Sequence, residues 1–296
     1  MNKPKNQHFI SRTYLKHFRI AGEKHGSFVY CLDLANSYRR NIQKPGLNDK
    51  IFTEDRYYND NSLEDPYAIE KIYGDIIEPQ YERIMAELTR EVVLSPKVVR
   101  QLMGWILFSK MKSPYMRNKA ETALKYIVKS KEASPDLDFL TKENFSVYAK
   151  EMHLRMFIER KNLDEYGLRN VTTLNCKSWE ILIAPDWLPF ITNDNPGFSV
   201  NLDLIQSNPY LFSSDIEEDV DSVLFYVLSP KYCLQIGPFD KGTPLNACAM
   251  NIVIPYKLAV PRQINWINMG VALTCQKLLV SNQKDVLEKI AKAIQL

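Results

Sequence analysis

Val223-Leu224-Phe225-Tyr226-Val227-Leu228-Ser229-Pro230-Lys231-Tyr232-Cys233-Leu234-Gln235-Ile236 consists of two short apolar runs joined by a turn tripeptide. Runs this short, rich in valine and aromatic residues and separated by Ser-Pro-Lys, predict the two strands of a hairpin. Trp179–Ile183, Pro189–Thr192 and Asn251–Ile254 repeat the pattern, each bounded by Pro, Gly, Asn or Asp. Neighbouring strands joined by short turns predict a largely antiparallel sheet after about residue 170.

Upstream the hydrophobic period is helical. Ile69, Ile72, Tyr73, Ile76, Ile77, Tyr81, Ile84, Met85 and Leu88 fall three or four apart, as on one face of a helix. Pro79 lacks a backbone donor and is expected to kink or split that helix. Ser95-Pro96 is a helix start, with serine as N-cap and proline at the first helical position. Val98, Val99, Leu102, Met103, Ile106, Leu107 and Met111 form its apolar face, and Pro114 ends it. Further helices are expected at about 115–131 and 141–160, then at about 261–276 and from Gln283, with a strand at Leu278–Val280 between the last two. The first sixty residues read as a docked segment followed by a small β element. That element has a strand at Ser27–Leu32, a turn at Ala35-Asn36-Ser37 and a return strand at Tyr38–Gln43, broken by Lys44-Pro45-Gly46. Helix runs and strand runs are segregated, which specifies an α+β fold: a helical block packed on a mostly antiparallel sheet. One domain over 1–296 is expected. The alternative is a subdivision near 170 into a mainly helical and a mainly β part.

The chain has 296 residues, 45% of them hydrophobic and 25% charged, with ten glycines and sixteen prolines. That composition belongs to a globular protein without long flexible linkers. No apolar run approaches the roughly 18 residues of a membrane span. Lys3, Lys5, Gln7, His8 and Arg12 interrupt the apolar core that a signal peptide needs. The five cysteines are odd in number, scattered and without C-x-x-C spacing, which favours free thiols over a disulfide or zinc framework. Cytoplasmic location and no membrane partner are the expectations. The net charge of +3 is unevenly spread: residues 95–131 hold nine Lys/Arg and one acid, and residues 132–222 hold seventeen acids and seven bases. The basic 95–131 segment is a candidate surface for nucleic acid or a phosphorylated ligand. Two oppositely charged faces that attract each other are the alternative.

The opening Asn6-Gln7-His8-Phe9-Ile10-Ser11-Arg12-Thr13-Tyr14-Leu15-Lys16-His17-Phe18 interleaves apolar anchors with polar groups, as a docked terminus does. Tyr14, Leu15 and Phe18 are expected as buried anchors. His8 is a candidate general base, phosphate ligand or metal ligand, or else a histidine that ties the terminus down. Asp194 and Asn195 precede Pro196 at the end of an apolar run, which is either a structural turn or a rigid presentation of a carboxylate and an amide. His8 with Arg12, Asp194 and Asn195 forms a candidate catalytic set for phosphoester hydrolysis, with Gln7, Lys112 and Arg117 as candidate substrate-binding residues. Arg12 and His17 also have the R-x-x-x-x-H spacing of one class of helical ribonucleases. Arg117, Lys125 and Lys129 share a helix stripe that offers phosphate contacts without base readers. Glu70 and Glu78 are spare carboxylates, but the spacing of a metal site is missing, so the sequence names neither metal nor cofactor. No phosphate-binding glycine loop or nucleophile elbow is present.

Four of these places resemble one family, the domain-of-unknown-function family 4238. Gln7 to Phe18 is similar to its Q-H-x-x-P-x-x-Y-L-x-x-F start. Lys112-Ser113-Pro114 resembles its R-x-P element, with lysine for arginine. Phe190-Ile191-Thr192-Asn193-Asp194-Asn195-Pro196 resembles its F-I-T-S-D-N-P signature, and Leu228-Ser229-Pro230 its later P-L-S-P. The resemblance implies a mostly bacterial, cytoplasmic protein without an assigned activity. Combined with the candidate residues, it supports two expectations. One is a phosphoester- or nucleic-acid-directed hydrolase-like effector, acting in defence or conflict. The other is a non-catalytic binding protein whose motif residues are structural.

Overall fold

The computed structural model describes residues 6–22, 27–35, 41–59, 63–90, 92–129, 147–151, 153–154, 174, 176–216, 221–239 and 248–294. The first third holds β1 (Asn6–His8), α1 (Arg12–Leu15), β2 (Tyr30–Asp33), β3 (Thr53–Asp55) and α2 (Ala68–Lys71). A π-helical segment (Ile72–Ile77), α3 (Glu78–Arg90), β4 (Val93–Leu94), α4 (Pro96–Met111) and α5 (Pro114–Lys129) follow. Then come β5 (Lys177–Ile183), β6 (Thr192–Asn193), β7 (Phe198–Asn201), α6 (Leu202–Ile205), β8 (Ser222–Val227) and β9 (Tyr232–Phe239). The end is β10 (Ile252–Val253), β11 (Tyr256–Leu258), α7 (Pro261–Leu273), β12 (Leu278–Ser281) and α8 (Lys284–Ala293). Among these residues no helix is long and apolar enough to cross a membrane.

The fold is α+β, as the segregation of periods predicts. β8 and β9 form the expected hairpin, with Leu224 opposite Ile236 and Val227 opposite Cys233. The Tyr232 N–H closes the turn on the Ser229 carbonyl at 3.2 Å. The five-stranded sheet runs β11-β5-β9-β8-β7 and is antiparallel except at its edge, where β11 runs parallel to β5. Every residue of β8 is buried, so this strand is covered on both faces.

Three local expectations are refined. Pro79 does not split the helix: it stands second in α3, directly after the π-helical segment, where the local irregularity falls. Of Pro189–Thr192 only Thr192 enters a strand, β6. The Phe190 N–H instead meets the Pro230 carbonyl at 2.8 Å, and the Ile191 N–H meets Asn268 Oδ1 at 3.0 Å. Of Asn251–Ile254 only Ile252 and Val253 pair, with β4 and outside the large sheet.

The small N-terminal β element has a wider role than its sequence suggests. Cys31 and Gln43 exchange backbone hydrogen bonds at 2.9 and 2.8 Å. On its other side β2 pairs antiparallel with β12, which pairs in turn with β6. Residues 38–40 of the return strand at Tyr38–Gln43 and most of the helix at 141–160 lie outside the described residues.

Buried tyrosines fasten the helices to the sheets. The Tyr14 hydroxyl donates to the Val227 carbonyl at 2.6 Å and lies 2.7 Å from Thr192 Oγ1. Tyr81 donates to the Leu228 carbonyl, and the Trp105 indole N–H donates to the Tyr226 hydroxyl at 3.1 Å. Tyr81 and Trp105 rings lie 4.3 Å apart by centroid. Each of these groups adds apolar burial and satisfies its own polar atom, so the cluster carries no desolvation debt. Tyr14, Leu15 and Phe18 are all 1% exposed or less, the anchors expected of the opening segment.

Candidate functional site

The opening strand is seated by one side chain. β1 pairs antiparallel with β3, Gln7 opposite Glu54 and His8 opposite Thr53. Gln7 is buried. Its amide donates to Asn59 Oδ1 at 2.6 Å and its carbonyl accepts the Tyr58 N–H at 2.6 Å. Both ends of this glutamine hold β1 against the turn after β3. The next residue faces the other way, as alternation in a strand requires.

His8 is therefore half-buried rather than sealed. Burial, then the charges of Lys112 and Arg12, push its pKa down to about 4, with a contact to the Ile10 backbone opposing them. The imidazole is neutral at pH 7. Its Nδ1 is shut off from solvent without a hydrogen-bond partner. Ser11 ends the extended segment and caps α1, its Oγ accepting the Tyr14 N–H at 3.5 Å. Arg12, the first residue of α1, is exposed. Thr13 donates to Glu78 Oε2 at 3.5 Å.

Lys112 arrives from the C-terminus of α4 and is only 3% exposed. Its Nζ lies 3.8 Å from Glu70 Oε2, 4.2 Å from the centre of the Tyr73 ring and 5.2 Å from that of Tyr58. A carboxylate and two aromatic faces compensate the buried ammonium. Burial raises the Glu70 pKa, against the pull of Lys112. A cavity of about 10 Å³ separates Ser11 and Lys112 from Pro196, room for about one water.

Asp194 and Asn195 lie beyond that proline, and their polar atoms turn toward the end of α7. Asn193 Oδ1 accepts the Asn195 N–H at 2.9 Å, and Asn193 Nδ2 donates to the Val271 carbonyl at 2.5 Å. The Asn195 amide donates to the Thr274 carbonyl at 3.2 Å. Asp194 Oδ1 accepts the Gln276 N–H at 3.0 Å. Burial raises the Asp194 pKa although backbone amides from Gln276 to Leu278 oppose it. Lys110 holds the far side, donating to the Gly197 carbonyl at 2.6 Å. Gly197 has φ +83°, and a Cβ there would meet the Tyr226 ring at 2.8 Å, so glycine is required.

The structure thus groups His8 with Arg12 and Lys112, and Lys112 with Glu70, while the Gln7 side chain is engaged on the other side by Asn59 and Tyr58. Pro196 shares the small cavity with Lys112, while the Asp194 and Asn195 side chains bond to the α7–β12 junction. Arg117 is one strand over: it pairs with Glu54 and stacks over Tyr57 at 4.9 Å. Lys119 and Lys125 pair with Asp215 and Glu121 at 2.8 and 2.6 Å, and Arg100 donates to the Cys248 carbonyl at 2.5 Å. Lys110 and Lys112 are buried, whereas the Lys119 and Lys125 pairs lie at the surface. The Lys119–Asp215 pair also joins the basic segment to an acid of the oppositely charged one. Of the acidic cluster there, Glu217, Glu218 and Asp219 lie outside the described residues. His17 lines a cleft separate from the cavity beside Lys112 and lies against Glu82. Among the described residues no three His, Cys, Asp or Glu side chains are arranged to hold a metal ion.

Several working residues carried no flag in the sequence. Tyr58 and Tyr73 box Lys112, and Lys110 ties α4 to the Asn195–Gly197 turn. Asn193 had a signal that could have found it, because asparagine two residues before a turn amide is a recognised Asx pattern.

The family model described as Protein of unknown function (DUF4238) matches residues 6–285, and the chain belongs to that family. No curated protein and no solved structure matches it.

Proposed function

We propose that this family member acts in the cytoplasm on a phosphoester, through the surface that carries His8 and Arg12, with Lys112 buried beside it. One observation carries the reading: a half-buried imidazole, neutral at pH 7, lies within the field of two cations, one of them exposed. A neutral histidine is competent as a base, and an exposed guanidinium suits phosphoryl oxygens. His8 takes a proton from water as the water oxygen bonds to phosphorus. Arg12 binds the non-bridging oxygens, and the ester oxygen leaves and is protonated from solvent. Lys112, fixed between Glu70 and two rings, adds positive potential. Asp194 and Asn195 serve as positioning residues that hold Pro196 against the site, and Gln7 and Arg117 keep β1 and β3 in place beneath it. The engaged lysines and arginines of 95–131 favour a short phosphoester, or a single-stranded nucleic acid end, over a long duplex. The unbridged thiols of Cys31, Cys176, Cys233 and Cys275 suit a reducing compartment.

The test is hydrolysis of bis(p-nitrophenyl) phosphate and of a short RNA. His8→Gln is expected to lower kcat by about 100-fold or more, and Arg12→Met to raise KM, both with an unchanged melting temperature. Wild-type turnover that survives both substitutions removes the proposal. A second reading, binding without turnover, is favoured by Gln7, Lys112, Asp194 and Asn195 all being engaged within the fold. It is adopted if inorganic phosphate binds in an Arg12-dependent way and no phosphoester is cleaved.

A further inference from the structure

A separate cleft of about 740 Å³ opens between the end of the N-terminal segment, α3, the Ser229-Pro230-Lys231 turn and the residues after β12. It shares no lining residue with the cavity beside Lys112. Its size is that of a small-molecule site, about 300–1,000 Å³. Ser229 and Pro230 belong to a motif that the phosphoester site leaves unused. From the geometry we infer that this cleft binds a small cationic ligand whose amine or guanidinium N–H groups are taken up by Glu82, Asp186, Asn282 and His17.

The carboxylates of Glu82 and Asp186 and the Asn282 amide oxygen supply acceptors to the cleft. Glu82 is half exposed and lies 3.4 Å from His17 Nε2. Burial lowers the His17 pKa, with Arg19 and Lys16 on its own segment adding to this and Glu82 opposing. The ring is then neutral, and a proton at Nε2, on the Glu82 side, leaves only a lone pair at Nδ1. The Tyr81 ring packs edge-on against it at 5.2 Å and sets its plane. Asn282 Oδ1 is shut off from solvent and accepts no hydrogen bond, a cost that a ligand N–H would remove. Asp186 lies on a loop fixed by the Gln283 amide, which donates to the Asp186 carbonyl at 2.6 Å. Among the lining residues Glu82 and Asp186 stand against the single basic side chain of Lys231; Arg19 and Lys16 do not line the cleft. Two carboxylates against one ammonium, together with the unpaired Asn282 oxygen, select a positively charged ligand with N–H donors.

Agmatine, a butyl chain with a guanidinium at one end and an ammonium at the other, is the probe, titrated into the full chain by calorimetry. One saturable site is expected, absent for the neutral analogue 1,4-butanediol. Glu82→Gln and Asp186→Asn, both at exposed positions, are each expected to weaken binding about tenfold or more, whereas Lys231→Met should tighten it. Asp203→Asn, in α6 at the end of β8 away from the Ser229 turn and outside the cleft lining, should change nothing. No saturable binding, equal binding of butanediol, or equal loss in Asp203→Asn would each overturn the inference.

Discussion

Tyr14→Ala is expected to destabilise the protein by about 4–5 kcal/mol, the upper range for loss of a buried aromatic side chain. Tyr14 is 1% exposed, and its ring touches those of Phe18 and Tyr81 at 5.2 and 5.6 Å. Truncation removes these contacts. It also strands the Val227 carbonyl, which accepts the hydroxyl at 2.6 Å. Tyr14→Phe keeps the ring and loses only the hydroxyl, so about 1–2 kcal/mol is expected. Urea denaturation of the two variants separates packing from hydrogen bonding. Near-equal losses would mean that the ring contacts contribute little and that the opening segment is not the lock described here. A domain with the usual 5–15 kcal/mol of stability would be left close to unfolding by the alanine variant.

The second large effect is acid destabilisation by two histidines. His8 and His153 are each held near a pKa of about 4 by burial, against an ordinary value of 6.5. His153 lies 2.9 Å from the Met111 carbonyl through Nε2 and 3.0 Å from the Tyr57 hydroxyl through Nδ1, so a second ring proton would disrupt a satisfied pair. Above pH 6.5 both rings are neutral in folded and unfolded chains, and the full stability is present. Between 6.5 and about 4 the unfolded chain takes up protons that the folded chain refuses, so stability falls as pH falls through this window. Each ring accounts for on the order of 2–3 kcal/mol. Glu70 and Asp194, with raised pKa values, act in the opposite direction and gain stability as pH falls toward those values. Comparing wild type with His8→Gln in urea at pH 7.5 and 4.5 isolates one histidine. The variant should lose less stability on acidification; an unchanged difference would show that His8 is not held neutral.

Local chemistry made much of the fold legible. The Ser-Pro-Lys turn predicted its hairpin because turn residues act within a few positions. Tyr14, Leu15 and Phe18 were readable as anchors because their helical spacing puts them on one face. Pairings between distant segments were not readable: nothing in Tyr30–Asp33 names Leu278–Ser281 as its partner. Charge counting leaves the role of 95–131 open for a related reason. A local total of +8 cannot distinguish Lys110, spent on the Gly197 carbonyl, from a lysine facing solvent. In the candidate site the sequence pointed to His8, Arg12 and Lys112 but not to the tyrosines that hold Lys112. Asp194 illustrates the limit of motif reading, because the direction of a carboxylate in a turn depends on the α7–β12 junction some eighty residues away.

The most direct measurement is an NMR titration of the His8 imidazole from pH 3.5 to 8, with and without inorganic phosphate, assigned by comparison with His8→Gln. A neutral ring is expected down to a midpoint near pH 4. A saturable phosphate shift should raise the midpoint, because a bound anion favours the imidazolium, and should disappear in Arg12→Met. A midpoint near 6.5 that phosphate leaves unmoved would contradict this reading of His8.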